Sequence, residues 1–183
     1  MLQAGAAVLL FVAGGLAGWI GHSLAAPPDK VGTISVYEDW RLACPALSAK
    51  DGSCALAQDI MDSRTGSDIA KLAIGRGKTG LEMIVTGPLD MLIQPGMGVA
   101  LGSDKIRVYP YQTCTAAGCV AIIPVDGSLM SSMRSTNQGR LLFVLPNTKP
   151  VGLPFSLKGF VSADDAWRNE ESRRKSWWRR LWS

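Results

Sequence analysis

The sequence predicts an all-β domain, mainly antiparallel and sandwich- or barrel-like, with one short helix inside it. An N-terminal apolar helix and a C-terminal amphipathic helix rich in basic residues and tryptophan are expected outside the domain. Three observations carry this reading. Short runs of alternating polarity recur through the middle of the chain, glycine and proline breakers separate them about every 8–12 residues, and both ends differ from the middle in charge. The expected organisation is a leader over 1–28, a β domain over 29–165 and a tail over 166–183.

Residues 33–37, 81–85 and 105–109 alternate apolar and polar, which suits strands with one face inward. Residues 69–74, 120–125 and 141–145 are more continuously apolar and are expected as central strands of a packed sheet. Breakers fall at Gly66, Gly75-Arg76-Gly77, Gly87-Pro88, Pro95-Gly96, Pro110 and Pro146-Asn147. One segment departs from the pattern: 126–135 places Leu129, Met130 and Met133 on one helical face, with Asp126 or Ser128 as cap. Gly77-Lys78-Thr79 imitates a phosphate-binding loop, but that loop needs a glycine at position 72, where Leu72 stands, and a helix after it, where another strand is expected. A hairpin turn is the reading of this stretch.

The net charge of +4 is not spread evenly. Residues 166–183 hold six basic and two acidic residues, so the other 165 residues sum to zero. The high pI therefore describes a tail, and a nucleic-acid groove across the fold is not expected. The single histidine, His22, lies in the leader. Its absence from the domain removes Ser-His-Asp and Cys-His catalysis, histidine-ligated zinc and a histidine general base together. Asp59 with Asp62, and Asp164 with Asp165, read as solvated surface; a glycosidase-like pair would require carboxylates brought together by the fold.

No charge occurs between Leu2 and Pro28, and residues 4–21 are 18 residues long, enough at about 1.5 Å per residue to cross most of a bilayer core. Ser23-Leu24-Ala25 supplies small residues for removal after Ala25 as a signal peptide; an uncleaved anchor in the inner membrane is the alternative. The four cysteines, Cys44, Cys54, Cys114 and Cys119, follow this leader and imply an oxidising compartment. They allow three pairings. Cys44 with Cys54 and Cys114 with Cys119 is favoured, because each closes a short loop bearing turn residues, and each loop would stabilise by about 2–3 kcal/mol. A four-cysteine zinc site is the rival, although gaps of nine and four residues suit it poorly.

The tail carries four of the six tryptophans. On a helix, Trp177, Trp178, Leu181 and Trp182 gather on one arc, flanked or opposed by Arg173, Lys175, Arg179 and Arg180, while Arg174 falls within the apolar arc. Tryptophan with arginine is the composition of an interfacial anchor, each basic residue adding about 1 kcal/mol at an anionic bilayer. An anionic membrane surface or an envelope protein is the expected partner; packing of the tail against the protein's own domain, or nucleic-acid stacking, is the alternative.

Trp40-x3-Cys44, Cys54-x3-Gln58, Gly87-Pro88-Leu89, Cys114-Thr115-Ala116-Ala117-Gly118-Cys119-Val120-Ala121 and Leu157-Lys158-Gly159-Phe160 occur in the order seen in the invasion-associated locus B family of proteobacterial envelope proteins, which the chain resembles from about Val36 to Ala163. The resemblance implies an exported, mostly β domain of the periplasm or cell surface, linked in pathogens to host-cell entry, with disulfide-paired cysteines and no established enzymatic activity. Nothing about the tail follows from it. The resulting expectation is a non-enzymatic envelope binding module without catalytic residue, cofactor, metal or identified small-molecule substrate. The alternatives are a subunit of a membrane assembly held by an uncleaved leader and a carboxylate-dependent hydrolase.

Overall fold

A computed structural model describes residues 32–46, 52–62, 65–147 and 149–175. These form eleven strands and two helices: β1 (Thr33–Tyr37), β2 (Trp40–Cys44), β3 (Ala55–Met61), β4 (Asp68–Arg76), β5 (Leu81–Gly87), β6 (Met97–Leu101), β7 (Arg107–Tyr109), β8 (Tyr111–Thr115), β9 (Gly118–Pro124), α1 (Gly127–Ser135), β10 (Gln138–Val144), β11 (Pro150–Ser156) and α2 (Phe160–Lys175). Every strand pairing is antiparallel. One sheet runs β1-β2-β3-β4-β5-β9-β8 and the other β11-β10-β6-β7, so the domain is two sheets and not a closed barrel.

The core lies between the sheets. Leu56, Leu72, Ile74, Met83, Val85 and Ile123 of the large sheet join Met97, Val99, Leu141 and Phe155 of the small one in a single buried cluster. Leu129 and Met133 of α1 and Phe160, Ala163 and Trp167 of α2 complete it. Burying a side chain of the larger apolar kinds stabilises by about 1.5–3 kcal/mol. At one edge Trp40 meets Phe160 edge-on at 5.1 Å, and its indole N–H donates to the Ser156 carbonyl at 3.1 Å. Gln58 donates to that same carbonyl and to the Asp39 carbonyl, both at 3.1 Å.

The expected alternation holds in β5, whereas β1 forms the expected strand but is exposed along Thr33–Val36, being an edge strand, and of 105–109 only Arg107–Tyr109 is strand; the 77–80 stretch is a hairpin turn closed by Gly77 N–H to the Gly80 carbonyl at 2.8 Å. The runs 69–74 and 120–125 form interior strands, as expected, yet burial within them alternates. In β4, Ala70, Leu72 and Ile74 are buried while Ile69 and Ala73 are half-buried. The outward side of this sheet mixes apolar pairs, Ala57 against Ala73 and Ala73 against Ile84, with the charged Arg41, Asp59 and Lys71, which fits a face turned to solvent.

Two features differ from expectation at the C-terminus. The last helix, expected outside the domain, begins at Phe160 and buries Phe160, Ala163, Asp164 and Trp167. The boundary placed between 165 and 166 therefore cuts through α2, because positions 160, 163, 164 and 167 form one helical stripe that faces the core. The leader 1–28 and residues 176–183 lie outside the described residues, and among the described residues no helix is long and apolar enough to cross a membrane.

Helix α1 occurs where its spacing placed it, and Asp126 is its cap: the carboxylate accepts from the Leu129 N–H at 2.7 Å and from the Ser128 hydroxyl at 2.8 Å. The Leu129 amide first, then the Ser128 hydroxyl and the Arg107 charge, hold this carboxyl below the usual carboxylate range. A depressed folded pKa gives stabilisation that is present above the ordinary carboxylate pKa and lost as pH falls through the depressed value. Asp126→Ala is accordingly expected to lower Tm at neutral pH, with the gap to the parent narrowing as thermal melts are repeated at pH values below the ordinary carboxylate range. A constant gap would contradict the charge-assisted cap.

Candidate functional site

Both favoured disulfides are present, Cys44–Cys54 and Cys114–Cys119, with Cα separations of 4.1 and 3.9 Å. Each continues a strand pairing. Ala43 opposes Ala55, so Cys44 and Cys54 meet one step further along β2 and β3, and Cys114 directly opposes Cys119 across β8 and β9. Cys44 and Cys54 are buried, whereas Cys114 is exposed and Cys119 buried.

The Cys114–Cys119 hairpin shapes a cleft of about 370 Å³. Its walls are the β8–β9 turn (Ala116, Ala117), the Gly87-Pro88-Leu89 corner after β5, and Lys71 with Asp68 on β4. Two stretches about 30 residues apart in sequence meet here because β5 and β9 are neighbours, with Gly87 opposite Cys119. Gly118 makes the approach possible. It has φ +131°, and a Cβ there would sit 2.3 Å from the Gly87 carbonyl oxygen. Lys71 lies 2.9 Å from Asp68 and 3.8 Å from Asp59, and its pKa is raised, chiefly by the hydrogen bond to Asp68. The two carboxylates favour the charged form of this ammonium. Exposed Leu89 adds an apolar contact. Sequence reasoning quoted both turn stretches without joining them; the available signal was that each ends or begins a strand of one apolar pair.

Among the described residues, Asp59 and Asp164 are not brought together. Asp59 bonds Arg41 on the outward side of β3, while Asp164 and Asp165 belong to α2 on the other side of the sheet. The expectation of solvated surface fails for Asp164, which is fully buried between Arg134 of α1 and Arg168, the latter at 3.0 Å. It lies on the core-facing stripe and Arg134 balances its charge; Asp165, exposed, also bonds Arg134 at 3.0 Å. Among the described residues, no group of three or more His, Cys, Asp or Glu side chains could hold a metal ion.

Of the tail residues expected to meet a membrane or partner, Arg173, Arg174 and Lys175 end α2. Arg173 and Lys175 are exposed, and Arg173 pairs with Glu170 at 3.2 Å. Arg174, the residue that fell within the apolar arc, turns inward: it donates to the Pro45 carbonyl at 2.7 Å and to Glu170 at 3.2 Å. Trp177, Trp178, Arg179, Arg180, Leu181 and Trp182 lie outside the described residues.

Fold and site together define a two-sheet β domain, stapled by two hairpin disulfides and closed at one edge by a core helix. The chain belongs to the invasion associated locus B (IalB) family, whose model matches residues 40–168. That match runs through Trp167, in keeping with its burial. Among solved structures, the crystal structure of invasion associated protein b from Bartonella henselae has the same fold, with a TM-score of 0.68 at 17% identity over 76% of this chain and 99% of that one. No curated protein sequence matches the chain.

Gly118→Ala is expected to destabilise the domain by at least about 2 kcal/mol in chemical denaturation, from combined backbone strain and collision with Gly87. An unchanged unfolding midpoint would show that the two turns do not depend on this contact.

Proposed function

We propose that this chain is a non-enzymatic, exported envelope protein that binds another envelope component and is held near an anionic membrane surface by its tail. The observation that carries the reading is membership of the IalB family joined to two disulfides, since paired cysteines persist in oxidising compartments. The leader supports export, with removal after Ala25. A role in host-cell entry follows the family's printed name and the Bartonella neighbour's title. The clefts support binding rather than turnover, because Lys71, Asp59 and Asp164 are engaged in ion pairs.

The tail reading rests on composition. Beyond Lys175 the sequence supplies Trp177, Trp178 and Trp182 with Arg179 and Arg180, after a helix whose last turn is already basic. Intact-mass measurement on protein recovered from the envelope of an expressing bacterium is expected to show loss of residues 1–25; a retained leader would favour the anchored alternative. Deletion of residues 176–183 keeps Arg174 and every buried residue of the described core. It is expected to abolish co-sedimentation with anionic lipid vesicles while binding to neutral vesicles stays low for both forms. Undiminished sedimentation of the shortened chain would sink the membrane reading.

A further inference from the structure

The four sheet edges are not alike. β11 carries Pro150 and Pro154, β7 is three residues long and is followed at once by Pro110, and β8 has a register shift between Tyr111 and Thr113. Prolines, short length and bulges are the devices that keep sheet edges from pairing with other chains. β1 has none of them. Thr33-Ile34-Ser35-Val36-Tyr37 contains no charge and no proline, pairs with β2 in unbroken register, and is rich in β-branched residues.

Its backbone groups are open in a defined pattern. The two-residue loop Glu38-Asp39 closes β1 on β2 with Tyr37 opposite Trp40, so Tyr37, Ser35 and Thr33 direct their N–H and C=O groups at β2. Ile34 and Val36 direct theirs away from the sheet. Their side chains, 71% and 67% exposed, are also the most exposed large hydrophobics among the described residues. On the opposite face, Thr33 and Ser35 look into a groove of about 340 Å³ walled by Ala166, Asn169 and Arg173 of α2.

We propose that β1 is the interface of a two-fold symmetric dimer, in which the β1 strands of two copies pair antiparallel and join their seven-stranded sheets into one. The occupant is argued from the strand itself, which is complementary to its own reverse. Centred on Ser35, the pairing sets Ile34 opposite Val36 of the other copy twice, hydroxyl opposite hydroxyl at Ser35, and Thr33 opposite Tyr37. The Ile34–Val36 positions are the bonded pairs, so each outward N–H and C=O finds a partner, giving four main-chain hydrogen bonds. Two β-branched pairs are thereby covered on one face, with no like charges opposed. The two-fold axis stands perpendicular to the sheet, leaving both α2 helices on the same face beside the groove. One short edge buries less than a standard interface, so the dissociation constant is expected at about 10 µM or weaker.

The test is sedimentation velocity on the full, disulfide-intact chain as processed by its expressing bacterium, up to about 1 mM, beside an Ile34→Lys/Val36→Lys variant. Both positions are exposed, so the variant is expected to fold, as its thermal melt will report, and to associate at least tenfold more weakly. A second measurement is covalent. Ser35→Cys places thiols at a non-bonded pair with Cα atoms about 4.5 Å apart, within disulfide reach, and is expected to form a dimer on mild oxidation. Peptide mapping would locate the link at the new thiols. Val108→Cys, on the short edge strand β7, serves as the control and is expected to remain monomeric. The proposal is overturned by a monomer at every concentration with Ser35→Cys cross-linking no better than Val108→Cys. A dimer that persists in the double lysine variant also overturns it, since that dimer would use another surface, and so does protection of the outward Ile34 and Val36 amides from hydrogen exchange in a monomer, which would mean that a segment of the same chain occupies the edge.

Discussion

The carbonyl of Ser156 is where the two sheets and the terminal helix are held together. It accepts from Trp40 on β2 and from Gln58 on β3, and it ends the strand that leads within a few residues to α2. Gln58 spans from there to the Asp39 carbonyl in the β1–β2 turn. Buried polar groups are costly unless paired, so these bonds specify one geometry for four elements at once. Gly159 belongs to the same junction: at φ +77° it passes so close to Tyr37 that a Cβ would lie 2.1 Å from the carbonyl oxygen. The stretches around Trp40, Gln58 and Gly159 that suggested a family are thus parts of a single joint.

Much of the fold was legible because its cues are local. Alternation over 33–37 and 81–85, the Leu129-Met130-Met133 spacing and the turn residues near the cysteines depend on neighbours along the chain, and the corresponding strands, helix and disulfides are present. What was not legible depends on partners far away in sequence. Asp164 looks like a surface carboxylate until Arg134, 30 residues earlier, is placed beside it. Trp167 looks like the start of an anchor until α2 is seen to lie on β1, β2 and β3. The cleft beside Lys71 was hidden for the same reason, since only the order β4-β5-β9-β8 brings its walls together.

Charge in the tail is also less available than its sequence suggests. Arg168 is engaged with Asp164, Arg173 and Arg174 with Glu170, and Glu171 is taken by Arg76 of β4 at 2.8 Å. Helix α2 therefore uses several charges in pairs along its own surface, while Asp164 and Asp165 with Arg134, Glu171 with Arg76 and Arg174 with the Pro45 carbonyl tie it to the rest of the domain. Among the described residues of the tail, Lys175 is exposed at the end of α2.

The bond from Arg174 to the Pro45 carbonyl has a mechanical consequence. Pro45 follows Cys44 directly, so the last turn of α2 is lashed to the end of a strand that the Cys44–Cys54 bridge clamps to its neighbour. The end of α2 is consequently an anchored point, and a reductant that opened that bridge would slacken the mooring as well as the hairpin.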